Sequence, residues 1–244
     1  MKLNLIAVVS RIYSQIFAND QNTANMIRLF AIGDIHGCFD SLQELVENKI
    51  QLNKNDTLVL LGDYIDRGDM SKEVIDYIIG LQRKDYNIIP LIGNHELLLL
   101  ETFEDENNKS KWFQDGGGET LKSFGIDSIK DISPKYLDFF KNLKSYLSIE
   151  DYLFVHAGFN DKIQNPFQDT FSMVSVSQVE YLNHLLVEKT IIHGHRPITI
   201  GYCEMQINQN KQVINIDTGC VYKEKIGFGK LTAIELYSKK LFSV

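Results

Sequence analysis

Asp34 and His36 stand between Gly33 and Gly37, directly after an apolar run from Ile27 to Ile32. The arrangement recurs along the chain. Gly62-Asp63-Tyr64-Ile65-Asp66-Arg67-Gly68 follows Thr57 to Leu61, and Gly93-Asn94-His95-Glu96 follows Asn87 to Ile92. His156-Ala157-Gly158 follows Tyr152 to Val155, and His193-Gly194-His195 follows Thr190 to Ile192. A buried His taken alone is more often a hydrogen-bonded core residue than a ligand. A repeated pattern of Asp, Asn and His after successive strands is another matter, because ligands of α/β sheets bind outside the carboxyl ends of strands. Imidazole with carboxylate and amide oxygen suits manganese first, with iron or zinc as alternatives, and thiolates are absent from these loops. Two ions about 3.5–4 Å apart need a bridging carboxylate. Asp63 is the natural bridge, since it lies between the two ligand groups in sequence.

The elements that must position these loops read as alternating strands and helices. A helix with Leu42, Leu45 and Val46 on one face should start at a capping box of Asp40 and Gln43. Ser71 should cap a second helix, running to about Leu81 with Val74, Ile75, Ile78 and Ile79 inward. This βαβαβ order implies a mainly parallel sheet with right-handed crossovers. Residues 96–144 read as helical and more polar, broken at Gly116-Gly117-Gly118. Beyond Ile200 the pattern turns to strands at Gly201–Ile207, Gln212–Ile216 and Leu231–Leu236.

Composition sets limits. The chain has 244 residues, of which 44% are hydrophobic and 23% charged, as in an ordinary soluble globular protein. A net charge of −7 argues against a nucleic-acid partner, so positive charge for an anionic substrate must come from metal ions or single arginines. No apolar run reaches the roughly 20 residues of a membrane span. Three irregularly spaced cysteines, Cys38, Cys203 and Cys220, make no disulfide or zinc framework and suit a reducing cytoplasm. Residues 1–25 read as an extension of unknown role, too polar at Asn4 and Arg11 for a signal peptide, and 26–244 as one catalytic domain.

These residues resemble the calcineurin-like metallophosphoesterase superfamily. The stretch Gly62 to Gly68 narrows the resemblance to the phosphoprotein phosphatase family, nearest its bacterial and phage lambda phosphatase-like members. Trp112, Gly116-Gly117 and Thr120-Leu121 resemble a "W…GG…TL" segment of the bacterial members, and Ile216 to Tyr222 a late "IDTGCVY" strand. The resemblance implies an α/β sandwich of two mixed β-sheets flanked by helices. It implies two divalent metal ions, Asp34 and His36 binding the first, Asp63 bridging, and Asn94, His156 and His195 binding the second. It makes His95 the general acid, Asp66 its orienting partner and Arg67 a ligand for substrate phosphate. Outside the motif Arg67 would read as a surface ion pair and Asp66 as a turn cap.

The chain departs from the pattern at two places. Ser175 and Ser177 stand where bacterial relatives carry a Trp and an Arg, and Leu91-Ile92 precedes Gly93 where many carry an arginine. Arg196 is a compensating candidate for the phosphate or a distal group; an outward salt bridge is the plain alternative. His193 reads as a core or supporting residue, Tyr222 as packing or cleft lining, and His184 as a surface residue of a helix. The activity implied first is a phosphoserine/phosphothreonine protein phosphatase. Symmetrical dinucleoside tetraphosphate hydrolysis and a broad small-molecule phosphatase are alternatives. A non-catalytic metal-binding adaptor is the reading of a different class, supported by the missing arginines alone.

Overall fold

The computed structural model describes residues 27–244, so the expected extension over 1–25 lies outside the described residues. Strands β1 (Leu29–Ile32), β2 (Thr57–Leu60) and β3 (Asn87–Pro90) run parallel. β8 (Thr232–Glu235) joins β1 antiparallel and β9 (Lys240–Ser243) closes the edge, giving the order β3-β2-β1-β8-β9. A second sheet has the order β4-β5-β6-β7, from Tyr146–Ile149, Tyr152–Val155, Thr190–His193 and Val213–Asn215. Its first pair is antiparallel and the other two are parallel.

Period-two alternation explains why β1 is apolar throughout. Leu29 and Ala31 face the second sheet and pack with Val59, Phe154, Ile192 and Ile214. Phe30 and Ile32 face the helical side and pack with Leu45, Ile75 and Trp112. The outer face of the second sheet is covered by Phe159, Met173, Tyr181 and Leu186. The fold is thus two mixed sheets face to face, with helices outside.

The helices are α1 (Phe39–Gln43, continued by a wider turn over Glu44–Lys49), α2 (Ser71–Arg83), α3 (Asn94–Glu104), α4 (Lys109–Gln114) and α5 (Gly117–Phe124). Then come α6 (Pro134–Lys141), α7 (Thr170–Ser175) and α8 (Ile200–Asn208).

Several expectations are corrected. Asp40 is inside α1, whose cap position is Cys38 and has no side-chain cap. Ser71 is the first residue of α2 and caps nothing; its hydroxyl accepts from the Asp66 N–H at 3.2 Å. Gly201–Ile207 is helix, not strand. Thr199 caps it by accepting from the Tyr202 N–H, and Cys203, Gln206 and Ile207 face inward at helical spacing. His184 is exposed as expected but sits in a turn rather than a helix. The short strands β4 and β9 have no counterpart in the sequence reading.

Candidate dinuclear metal centre

Every sequence-predicted ligand loop leaves the carboxyl end of a strand on the same side of the sandwich. β1, β2 and β3 deliver Asp34, His36, Asp63 and Asn94; β5 and β6 deliver His156 and His195. The turns are tight enough to force left-handed backbone at non-glycine residues: φ is 46° at His36, 52° at Asp63, 69° at Asp66, 67° at Arg67 and 73° at His195. Such conformations cost on the order of 1–3 kcal/mol each and persist where the surroundings over-determine them. Gly62 (φ 105°) and Gly93 meet at this turn, where a Cβ on Gly62 would lie 2.6 Å from the Gly93 nitrogen.

Asp63 is the centre of the cluster. Its Oδ2 lies 3.5 Å from His36 Nε2, 3.5 Å from His156 Nε2 and 3.9 Å from His95 Nε2. His36 Nδ1 donates to the Ile65 carbonyl and His156 Nδ1 to the Leu61 carbonyl, both at 2.9 Å. A carbonyl can only accept, so the Nε2 atoms of both rings carry lone pairs. Two lone pairs therefore face a carboxylate oxygen with no proton between them, an arrangement that a cation relieves. Burial lowers the pKa of His36 to about 3 and of His195 to about 4, and lowers that of His156, so all three are unprotonated near neutral pH. Burial alone would raise Asp63, but His156, His95 and His36 hold it below the usual carboxylate range.

The ligand atoms fall into two groups that share Asp63. One is His36, Asp63 and His95; the other is Asp63, His156 and His195. Asn94 Oδ1 joins the second, 3.0 Å from His156 Nε2 and 2.9 Å from His195 Nδ1. Asp34 borders the same cluster, both its oxygens 3.1 Å from the His195 N–H. Burial, then Asp217 and Asp63, raises the Asp34 pKa. Asp217, raised to about 7 chiefly by burial, lies against Asp34, and its buried Oδ2 accepts no hydrogen bond from any N–H or hydroxyl of the described residues. Crowded carboxylates, a His156 Nε2 lone pair with no donor, a His36 Nε2 lone pair met only by Arg67, and a buried Asp217 oxygen that accepts no hydrogen bond together fit divalent cations.

His95 differs from its neighbours. Its Nδ1 donates to Asp66 Oδ2 at 2.7 Å. Burial pulls its pKa down, but Asp63 and Asp66 outweigh burial and lift it to about 8. Asp66 is held in turn by Thr120 Oγ1 at 2.6 Å and Trp112 Nε1 at 3.1 Å. The "W…GG…TL" segment is therefore the scaffold behind Asp66. Arg67 points inward, its Nη1 donating to His36 Nε2 at 2.7 Å. Arg196 is exposed and makes no side-chain hydrogen bond or ion pair with the described residues, so the outward salt bridge is absent there. His193 is buried, its Nδ1 3.0 Å from the Gly194 carbonyl.

Two contributors have no role in the sequence reading. Asp217 is one. The other is Glu96, fully buried, whose carboxylate accepts from the N–H groups of Asp63 (2.9 Å), Tyr64 (2.8 Å) and Gly93 (3.0 Å). It stands three residues after Gly93, the capping-box spacing, and that was the available signal.

The calcineurin-like phosphoesterase family model matches residues 27–217. The chain belongs to this family. Calcineurin-like phosphoesterases bind a dinuclear metal centre, and this one carries the His and Asp groups for it. It is 25% identical over 243 residues to the asymmetrical bis(5'-nucleosyl)-tetraphosphatase PrpE of Oceanobacillus iheyensis, covering 89% of this chain and 92% of that protein. It is 26% identical over 246 residues to the enzyme of the same name from Anoxybacillus flavithermus, covering 87% and 92%. A protein serine/threonine phosphatase from Saccharomyces cerevisiae shares the fold of this phosphoesterase, with a TM-score of 0.61 at 17% identity over 91% of this chain and 80% of that one. Among the described residues no helix is long and apolar enough to cross a membrane.

Proposed function

We propose that this phosphoesterase hydrolyses bis(5'-nucleosyl) tetraphosphates, holding two divalent ions, manganese first, through Asp34, His36, Asp63, Asn94, His156 and His195. The observation that carries the hydrolytic reading is Asp63 Oδ2 shared between the imidazoles of His36 and His156, whose Nε2 atoms carry no proton. The substrate follows the two relatives that align over nearly their whole length. Bound divalent ions supply Lewis-acid charge and bring the pKa of water toward neutrality.

The protein supplies the rest. Arg67, aimed into the cluster, binds an equatorial phosphate oxygen in place of the His36 contact. His95 keeps a proton at Nε2 for the leaving oxygen while Nδ1 remains on Asp66. Trp112 and Thr120 fix the Asp66 carboxylate, and with it the imidazole plane.

A second reading, a phosphoserine/phosphothreonine protein phosphatase, is favoured by one observation: the His95–Asp66 pair is intact and buried. A serine alkoxide needs a proton from such an acid, whereas a phosphate leaving group needs it less. Purified protein with manganese should be assayed against diadenosine tetraphosphate, a phosphopeptide and a nucleoside monophosphate. The expected result is kcat/KM for the tetraphosphate at least about tenfold above the others. A phosphopeptide preference would reverse the choice. Absence of metal-dependent turnover above a His95→Ala control on all three, and on p-nitrophenyl phosphate, would leave a non-catalytic metal-binding protein.

A further inference from the structure

A cavity of about 630 Å³ is walled by β6, β7, α8 and the segment after α7, and its lining includes His193 and Arg196 on either side of the proposed ligand His195 in the chain. That volume falls within the roughly 300–1,000 Å³ of small-ligand sites. Its lining includes Ser177, His193, Arg196, Tyr202, Gln206 and Lys211. Two of these are more than nine-tenths buried, His193 at 5% exposed and Gln206 at 6%. Each is fixed on one side and bare on the other. His193 Nδ1 must donate to the Gly194 carbonyl 3.0 Å away, which leaves its Nε2 an acceptor with no partner among the described residues. Gln206 Oε1 accepts from the Asn215 N–H at 2.7 Å, which leaves its Nε2 a donor with no partner. Ser177 Oγ is also buried and unpartnered. Buried polar groups are ordinarily satisfied, and Ser177 Oγ is one that is not. The His193 and Gln206 nitrogens open onto the cavity instead, so three polar groups of its wall are free to meet a polar ligand.

The charges say which end of the ligand goes where. Arg196 and Lys211 line the cavity without ion-pair partners among the described residues, and Glu180 is the acidic residue in the lining. Arg196 lines this cavity and follows the proposed ligand His195 directly in the chain, so it borders both. The exposed ring of Tyr202 flanks the opening.

We infer that this cavity binds the nucleoside of a nucleoside 5'-polyphosphate, the base meeting Gln206 Nε2 and His193 Nε2, with Arg196 taking a phosphate on the way to the metal-ligand cluster. A nucleobase edge presents a donor beside an acceptor, which is the complement of that wall. The inference rests on the proposed function only for the direction of the phosphates.

The test is calorimetric titration of the manganese-loaded His95→Ala protein with AMP and with ribose 5-phosphate, which lacks the base. AMP should bind at least about tenfold more tightly. Gln206→Leu should cut AMP affinity about fivefold to tenfold, the size of one lost hydrogen bond, and leave ribose 5-phosphate unchanged. Tyr202→Ala, at an exposed position, should weaken AMP alone as well. In otherwise native protein, both variants should keep p-nitrophenyl phosphate turnover and raise KM for diadenosine tetraphosphate. Equal affinities for the two ligands, or AMP binding indifferent to both variants, would overturn the inference and leave a water-filled cavity. AMP discrimination without tetraphosphate hydrolysis would uphold the cavity and reject the proposed substrate.

Discussion

Arg67 and His36 share a hydrogen bond that substrate and metal would each claim, and this fixes what the arginine can do. Its guanidinium is placed by left-handed backbone at 66 and 67, so it reaches the cluster by geometry rather than by chance rotamer. With Ser177 where an arginine was expected, and Arg196 lining the cavity, Arg67 is, among the described residues, the arginine that touches a ligand atom. Arg67→Ala should lower kcat/KM about 10²–10³-fold, the usual cost of removing one transition-state donor. Arg67→Lys should recover less than a tenth of that loss, since an ammonium cannot make the planar two-point contact. Steady-state kinetics on p-nitrophenyl phosphate decides it, and near-native rates in the alanine variant would remove Arg67 from the site. At this scale the sequence was informative because ligand chemistry restricts residue type. Asp, Asn and His after apolar runs are conspicuous, and the structure brings all six proposed ligands together with His95, Asp66 and Arg67. Glu96 and Asp217 escaped because they act on backbone or on another carboxylate, where no residue type is diagnostic.

The elements behind the site explain why residues far apart in sequence belong to it. α4 and α5 place Trp112 and Thr120 on Asp66 across 46 and 54 residues of chain. Thr120→Val removes a donor to a buried carboxylate and also an acceptor for the Asp66 N–H. The expected outcome is about 1–3 kcal/mol of lost stability and roughly tenfold lower kcat, with KM near native, because only the acid is mispositioned. Denaturant unfolding and kinetics on the same preparation separate the two effects; unchanged kcat would show that Asp66 orients His95 unaided. α3 does comparable work through Glu96. Replacement by Gln sets an amide N–H₂ against backbone N–H groups and should weaken manganese binding at least about tenfold, as other changes behind metal ligands do. Equilibrium dialysis against manganese measures it directly. Boundaries and types of elements were less legible than the loops. In residues 201–207 the apolar Cys203, Met205 and Ile207 alternate as in a strand, yet Thr199 caps a helix there and the buried set is Cys203, Gln206 and Ile207. β4 and β9 are half-exposed edge strands of four residues each, too short and mixed in polarity to stand out.

Across the whole molecule, the metal centre joins the two sheets, since Asp63 comes from one and His156 and His195 from the other. Metal binding and folding stability are therefore linked, and the titrating groups set how that linkage varies with pH. His36 and His195 have folded pKa values of about 3 and about 4, below the unfolded value of about 6.5. Their contribution is complete above the unfolded value and is lost as pH falls through the folded ones. Asp217 and Glu96 are the reverse: burial first, with the Asp63 charge adding to it, raises them to about 7 and about 8. Their contribution is complete at low pH and is lost as pH rises through 7 to 8. The two sets oppose each other between roughly pH 4 and 6.5, but above pH 7 the carboxyl groups act together with His95, whose folded pKa of about 8 works in the same direction. Metal-free protein should thus lose stability from pH 7 to 8, as repelling carboxylates accumulate around Asp63. Cations cancel that repulsion and displace the protons, so affinity should climb over the same interval. With manganese at about a thousandfold its Kd, the gain is about 4 kcal/mol, or roughly 8–16 °C in Tm for a domain of this size. The increment should be larger at pH 8 than at pH 6, and titration in buffers of different ionisation enthalpy should register proton release. An increment that is flat or shrinking across that range would mean that the buried carboxyl groups do not answer to the metal, and would detach Asp217 and Glu96 from the centre.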